Sequence, residues 1–160
     1  MDSWRLALLG DGGVGKTALA VQFCLNAFTY DPTIEDAYRK ATKVGPQRCF
    51  IEIIDTAGQE EYAPVRDQWT WETAAFVLVF SIGSYKSFDR LKLFYNIVTR
   101  VQRKDPIVIV VGNKLDQKRV VPAQAGIEFA RSIKATYIET SAKTAHNVPL
   151  VFTEPITRLR

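Results

Sequence analysis

Gly10-Asp11-Gly12-Gly13-Val14-Gly15-Lys16-Thr17 is the stretch that decides the fold. It follows an apolar run at residues 4–9 and opens an amphipathic segment that begins at Gly15. Two glycines five apart, then lysine and a hydroxyl residue, between a strand and a helix, are the pattern and context of a loop that cradles phosphates. The glycines let the backbone curl until successive N–H groups point inward, and the start of the helix adds partial positive charge. Lys16 is placed to reach the outer phosphates, and Thr17 offers a hard oxygen to Mg²⁺. A glycine-rich turn without a ligand is the plain alternative, but the pattern recurs by chance in roughly one chain in two hundred. Phosphate binding is therefore assigned to Asp11, Gly12, Gly13, Val14, Gly15, Lys16, Thr17 and Ala18.

Outward from this loop, apolar runs at residues 49–54, 75–81, 107–111 and 136–138 alternate with longer amphipathic segments. Helices are expected to begin at Gly15, near Glu61, at Ser87, at Pro122 and at Pro149, the prolines suiting a first helical turn. Residues 37–44, polar and alternating, end at Gly45-Pro46 and read as an edge strand turning back in a hairpin. The expected fold is α/β: a six-stranded mixed, mostly parallel sheet with helices on both faces and a ligand site outside the carboxyl ends of its strands. Pro155 is expected to kink or end the last helix, leaving it short.

The 160 residues, 47% of them hydrophobic, suffice for one core, so residues 1–160 are read as a single domain. The longest apolar stretch, residues 74–80, is far too short to cross a bilayer. Met1-Asp2-Ser3-Trp4 runs into a strand without a secretory pattern, and Cys24 and Cys49 lack metal spacing. Both are read as buried thiols of a cytoplasmic protein. The net charge of +4 is scattered with no basic run, so a solvated surface is expected and nucleic acid is not.

Asp55-Thr56-Ala57-Gly58 follows the run at residues 49–54, which sets a carboxylate at a strand end beside the phosphate loop. There it can accept from a magnesium-bound water, although an ordinary turn uses the same residues. Phosphate contacts do not distinguish bases. Asn113-Lys114-Leu115-Asp116 follows another apolar run, and the Asp116 carboxylate can accept from both N1–H and the exocyclic amine of guanine. Adenine lacks that donor pair and would leave a desolvated carboxylate unsatisfied. Lys114 can lay its stem over the base, and Ser141-Ala142-Lys143 can place a backbone N–H at guanine O6. A polar helix-start loop is the bland reading of Asn113 to Asp116.

Taken together these residues resemble the Ras family of small GTPases, over nearly the whole chain. The carriers are the loop at 10–17, Tyr30-Asp31-Pro32-Thr33-Ile34-Glu35-Asp36, Asp55-Thr56-Ala57-Gly58-Gln59-Glu60-Glu61-Tyr62, Asn113 to Asp116, and Glu139-Thr140-Ser141-Ala142-Lys143. The resemblance implies a P-loop NTPase G domain that binds GTP or GDP with Mg²⁺ and hydrolyses GTP. It further implies that Tyr30, Pro32 and Thr33 line the nucleotide in the first switch, with Thr33 on Mg²⁺ and the γ-phosphate. By the same resemblance Gln59 orients the attacking water, the Gly58 N–H senses the γ-phosphate, Asp55 meets Mg²⁺ through water, and Phe28 lies beside guanine.

Effector proteins are implied to bind the stretch from Tyr30 to Tyr38, where Ile34-Glu35-Asp36 forms an acidic edge. No arginine at an identifiable position enters the site, so slow intrinsic hydrolysis aided by an activating protein is expected, with an exchange factor completing the cycle. Gly12 and Gly13 match positions where a side chain crowds the catalytic water or a partner's arginine. Gly12→Val is accordingly expected to lower activator-stimulated hydrolysis. A single-turnover assay with and without activator checks this, and unchanged stimulated turnover would refute it.

The chain also departs from the family pattern. One residue, Thr29, separates Phe28 from Tyr30, where the pattern has two more, and five steps from Phe28 to Thr33 span at most about 17 Å. Trp69 and Trp71 suit core packing or an exposed partner-binding face equally. The ending Thr157-Arg158-Leu159-Arg160 has no prenylation motif, so attachment to the inner face of the plasma membrane is expected only through a lipidated tail outside these residues. His146 reads as surface polar. A monomeric signalling switch uses every motif, and a metabolite kinase has no use for Asn113 to Asp116. Lys16, Thr17, Thr33, Asp55 and Gln59 speak against a nucleotide-binding interaction module without turnover, which the shortened first switch keeps open.

Overall fold

The computed structural model describes residues 2–25, 36–55, 73–101 and 106–160. Six strands, β1 (Asp2–Gly10), β2 (Asp36–Val44), β3 (Gln47–Asp55), β4 (Ala75–Ser81), β5 (Val108–Asn113) and β6 (Thr136–Glu139), form one sheet in the order β2-β3-β1-β4-β5-β6. β2 is antiparallel to β3 and every other pairing is parallel. Among the described residues the helices are α1 (Lys16–Leu25), α2 (Tyr85–Asp89), α3 (Leu91–Val101), α4 (Ala123–Ser132) and α5 (Val148–Leu159).

β4 reads Ala-Phe-Val-Leu-Val-Phe-Ser and is buried at every position, as a parallel strand covered on both faces must be. Because successive side chains point to opposite faces, each central strand feeds two cores. Leu6 and Leu8 of β1 pack with Leu19 and Phe23 of α1 and Phe152 of α5, where the two phenylalanine rings lie 4.7 Å apart. Ala7 and Leu9 pack on the other side with Leu91, Phe94 and Val98 of α3. Chain direction away from β1 reverses between β3 and β4, and the crevice at that reversal lies at the carboxyl end of β1. Register aligns Leu8 with Asp55, Gly10 with Val79 and Ser81 with Asn113, so the motif-bearing strand ends share one rim.

The edge strand and hairpin read from residues 37–46 are present, with Gly45 at φ +62° in the turn. β3 and β5 run one and two residues further than their apolar runs, so Asp55 and Asn113 are the last strand residues, both buried, rather than the first loop residues. The helix expected at Ser87 is instead two helices. α2 starts earlier because the Ser84 hydroxyl accepts from the Ser87 N–H, and it breaks at Arg90 before α3.

Pro155 neither ends nor shortens α5, which runs 12 residues through it. An interior proline costs about 3 kcal/mol through the missing hydrogen bond and the crowding of its ring against the preceding turn. Val151, Phe152 and Ile156 around it are fully buried, and each contributes about 1.5–3 kcal/mol, which outweighs that loss. Arg160 then fastens the end of the helix, donating to the Val44 carbonyl at 2.6 Å and pairing with Asp2. Cys49 is buried as expected, whereas Cys24 is only half-buried; both are free thiols. The helix expected near Glu61 lies outside the described residues.

Candidate nucleotide site

The loop between β1 and α1 depends on glycine at two kinds of position. A Cβ at Gly10 would run into the carbonyl oxygen of Val79 in β4, and backbone cannot yield there. Gly13 and Gly15 have φ of +82° and +96°, and a Cβ at Gly15 would also meet the Asn113 amide. Around Gly12 no described atom lies within 4 Å of such a Cβ.

Side-chain donors take up the loop's carbonyls. Lys16, 4% exposed at the start of α1, donates to the Gly10 carbonyl. Lys114 Nζ donates to the Gly13 carbonyl at 2.6 Å, and Asn113 Nδ2 donates to the Val14 carbonyl at 2.9 Å. A trans peptide sets its N–H opposite its C=O. The N–H groups of Val14 and Gly15 are therefore turned away from Lys114 and Asn113, as a backbone cradle for anions requires. At the next strand end the Thr17 hydroxyl donates to Asp55, which is fully buried.

The loop after β5 is tied to the loop after β6. Thr140 donates its hydroxyl to Asn113 Oδ1 at 2.8 Å, and Ser141 donates to Asp116 Oδ1 at 2.8 Å. The Leu115 N–H donates to the Thr140 carbonyl at 3.0 Å, and Gln22 of α1 donates to the Ala142 carbonyl at 2.8 Å. Asn113 thus joins three elements, the phosphate loop, β5 and the turn after β6. Ala142 is buried and Lys143 exposed.

Behind these loops Arg119 grips both carboxylate oxygens of Glu139, at 2.7 and 2.9 Å, and Tyr137 donates its hydroxyl to Glu139 at 2.6 Å. Burial pushes the Glu139 carboxyl up, but the hydrogen bonds from Arg119 and Tyr137 outweigh it and hold the group below its ordinary range. Tyr137 is pushed well up, first by burial and then by Glu139. A carboxyl depressed in the folded state adds stability above its unfolded pKa and loses it as pH falls through the folded one. The melting-temperature advantage of the protein over Glu139→Gln is expected at neutral pH and to shrink as pH falls below the ordinary carboxyl range. A gap independent of pH would contradict this.

Residues 5–160 match the family model described as Ras family. The chain belongs to the Ras family. It is 43% identical to Ras-like protein B of Aspergillus fumigatus, across 100% of this chain and 79% of that protein. It is likewise 43% identical to protein ras-2 of Neurospora crassa, over 98% and 79% of the two chains. Ras-like protein rasZ of Dictyostelium discoideum is 45% identical over 95% and 73%. As a Ras-family small GTPase the chain binds guanine nucleotide and hydrolyses GTP in a signalling switch. Among the described residues no helix is long and apolar enough to cross a membrane.

On this Ras-family sheet the rim of strand ends brings together Asp11 to Ala18, Asp55, Asn113, Lys114, Asp116, Ser141, Ala142 and Lys143. Phe28, Tyr30, Pro32, Thr33, Gly58 and Gln59 lie outside the described residues, as do Trp69 and Trp71. His146 is exposed. Thr140 and Arg90 are among the described residues at the site that carried no assignment from sequence. Thr140, fully buried, orients Asn113, and its place between Glu139 and Ser141 was the available signal. Arg90 pairs with Asp11 at 2.7 Å, and no motif marks it.

Proposed function

We propose that this Ras-family domain, residues 1–160, uses the rim of strand ends to hold one guanine nucleotide with Mg²⁺, and that its GTP form recruits effectors through the stretch from Tyr30 to Tyr38. The carrying observation is the Asn113 side chain. It donates to the Val14 carbonyl and accepts from Thr140, which ties together the loops read as phosphate-binding and base-reading and so supports this assignment.

In this reading the N–H groups of residues 13–17 and the start of α1 hold the phosphates, and the ammonium of Lys16, at the first position of α1, reaches their outer oxygens. Asp116 accepts from guanine N1–H and the exocyclic amine, while Ser141 fixes its carboxylate. Lys114 covers the base, and the Ala142 N–H faces O6. The oxygen chemistry of Thr17 and the buried Asp55 suits a hard divalent cation, since a hydroxyl that donates to a carboxylate still has lone-pair density to offer. Bound Mg²⁺ supplies neutralisation of charge on the phosphate oxygens. Thr33 completes the cation site in the GTP state, Gly58 senses the γ-phosphate through its N–H, and Gln59 orients the attacking water. An exchange factor and an activating protein drive the cycle, the protein acts as a cytoplasmic monomer, and it reaches a membrane only through a lipidated tail.

Single-turnover hydrolysis of bound GTP, with and without Mg²⁺, tests the reading. Slow Mg²⁺-dependent conversion to GDP supports it. Tight GTP binding with no conversion, alone or with an activating protein, would favour an interaction module instead.

A further inference from the structure

Residues 10–17 carry one acid, Asp11, and one base, Lys16, so the phosphate loop has no net formal charge of its own. A carboxylate next to Gly12 opposes the binding of a polyanion unless something offsets it. Arg90, from the junction of α2 and α3, lies beside it with Nε 2.7 Å from Asp11 Oδ1. The pair is largely withdrawn from water, the side chains being 30% and 23% exposed, so solvent screens it only in part.

Arg90 is also held in place by its own helices. Its backbone N–H donates to the carbonyls of Lys86 and Phe88, closing α2. Its guanidinium lies 5.7 Å from the ring centre of Phe94, one helical turn on, and that ring is 1% exposed in the core behind β1 and β4. The cation thus rests against a buried aromatic and faces the single acid of the loop.

We propose that Arg90 is a positioning residue for nucleotide binding, which acts from the α2–α3 junction by cancelling the Asp11 charge. This rests on the assignment of residues 10–17 to phosphate binding, and it makes Asp11 a loop residue that acts through Arg90 rather than a direct phosphate contact.

Dissociation of a fluorescent GDP analogue tests it in the wild type, Arg90→Ala, Arg90→Gln and the double variant Asp11→Asn/Arg90→Ala. Arg90→Ala is expected to speed release about tenfold at low salt, the gap narrowing as salt is raised. Arg90→Gln keeps most of the stem over Phe94 and loses the charge, so it is expected to match Arg90→Ala. Removing the Asp11 charge is expected to return the double variant to within about twofold of the wild type. Release from Arg90→Gln at the wild-type rate, or a double variant as fast as Arg90→Ala, would overturn the proposal. A wild type that fails to retain GDP would instead sink the nucleotide-site reading itself.

Discussion

Lys16→Met is expected to lower GTP affinity by at least about a hundredfold while leaving the sheet intact. The lysine is 4% exposed at the first position of α1, and its ammonium sits inside the loop on the Gly10 carbonyl. A buried ammonium that exchanges a neutral carbonyl for phosphate oxygens gains charge-assisted hydrogen bonds of about 1.5–3 kcal/mol each. Two of them correspond to a factor of about 10² to 10⁴. Methionine keeps the apolar stem and removes the donor. The Gly10 carbonyl loses a partner at a cost of about 1–3 kcal/mol, so a melting temperature a few degrees lower is expected without nucleotide. Nucleotide titration and thermal melting together separate the two effects; GTP affinity within about threefold of the wild type would show that the loop does not hold phosphates through Lys16.

Asp116→Asn is expected to lower GDP affinity by several hundredfold and to collapse the preference for guanine over adenine. The substitution preserves shape, and Ser141 can still donate to the amide oxygen as it donates to Asp116 Oδ1. One of the two acceptor oxygens becomes an NH₂ group that faces the donor edge of guanine. Asp116 is exposed in the structure, so a missing bond and an opposed donor together cost about 3–4 kcal/mol only once the bound base covers it. Competition of GDP and ADP for the variant measures this directly, and retention of the wild-type ratio would remove Asp116 from the base-reading role.

Much of this organisation was legible because buried parallel strands leave a strong signature. The run at residues 75–81 has no polar break and is β4 at both ends, and Gly45-Pro46 marks its hairpin by turn chemistry. Strand ends were less legible. Asp55 and Asn113 look like loop residues because they are polar, yet both finish strands, where hydrogen bonds to Thr17, Val14 and Thr140 offset their burial. Pro155 misled for a related reason: local propensity forbids it in a helix, and the packing of Phe152 and Ile156 that overrides propensity is made with segments distant in sequence. Arg90 was hidden altogether, since its significance lies in Asp11, 79 positions earlier along the chain and reached only when α2 and α3 fold over β1.

The hydrogen bonds of Asn113 make one prediction of the whole site: phosphate and base are read together, by a pocket that accepts guanine and rejects adenine. Equilibrium displacement of a fluorescent guanine nucleotide from the wild-type chain by GTP and by ATP, in Mg²⁺, tests this most directly. The expected result is displacement by GTP at near-stoichiometric concentration and a preference over ATP of at least about 10⁴. Equal displacement by the two nucleotides would contradict it.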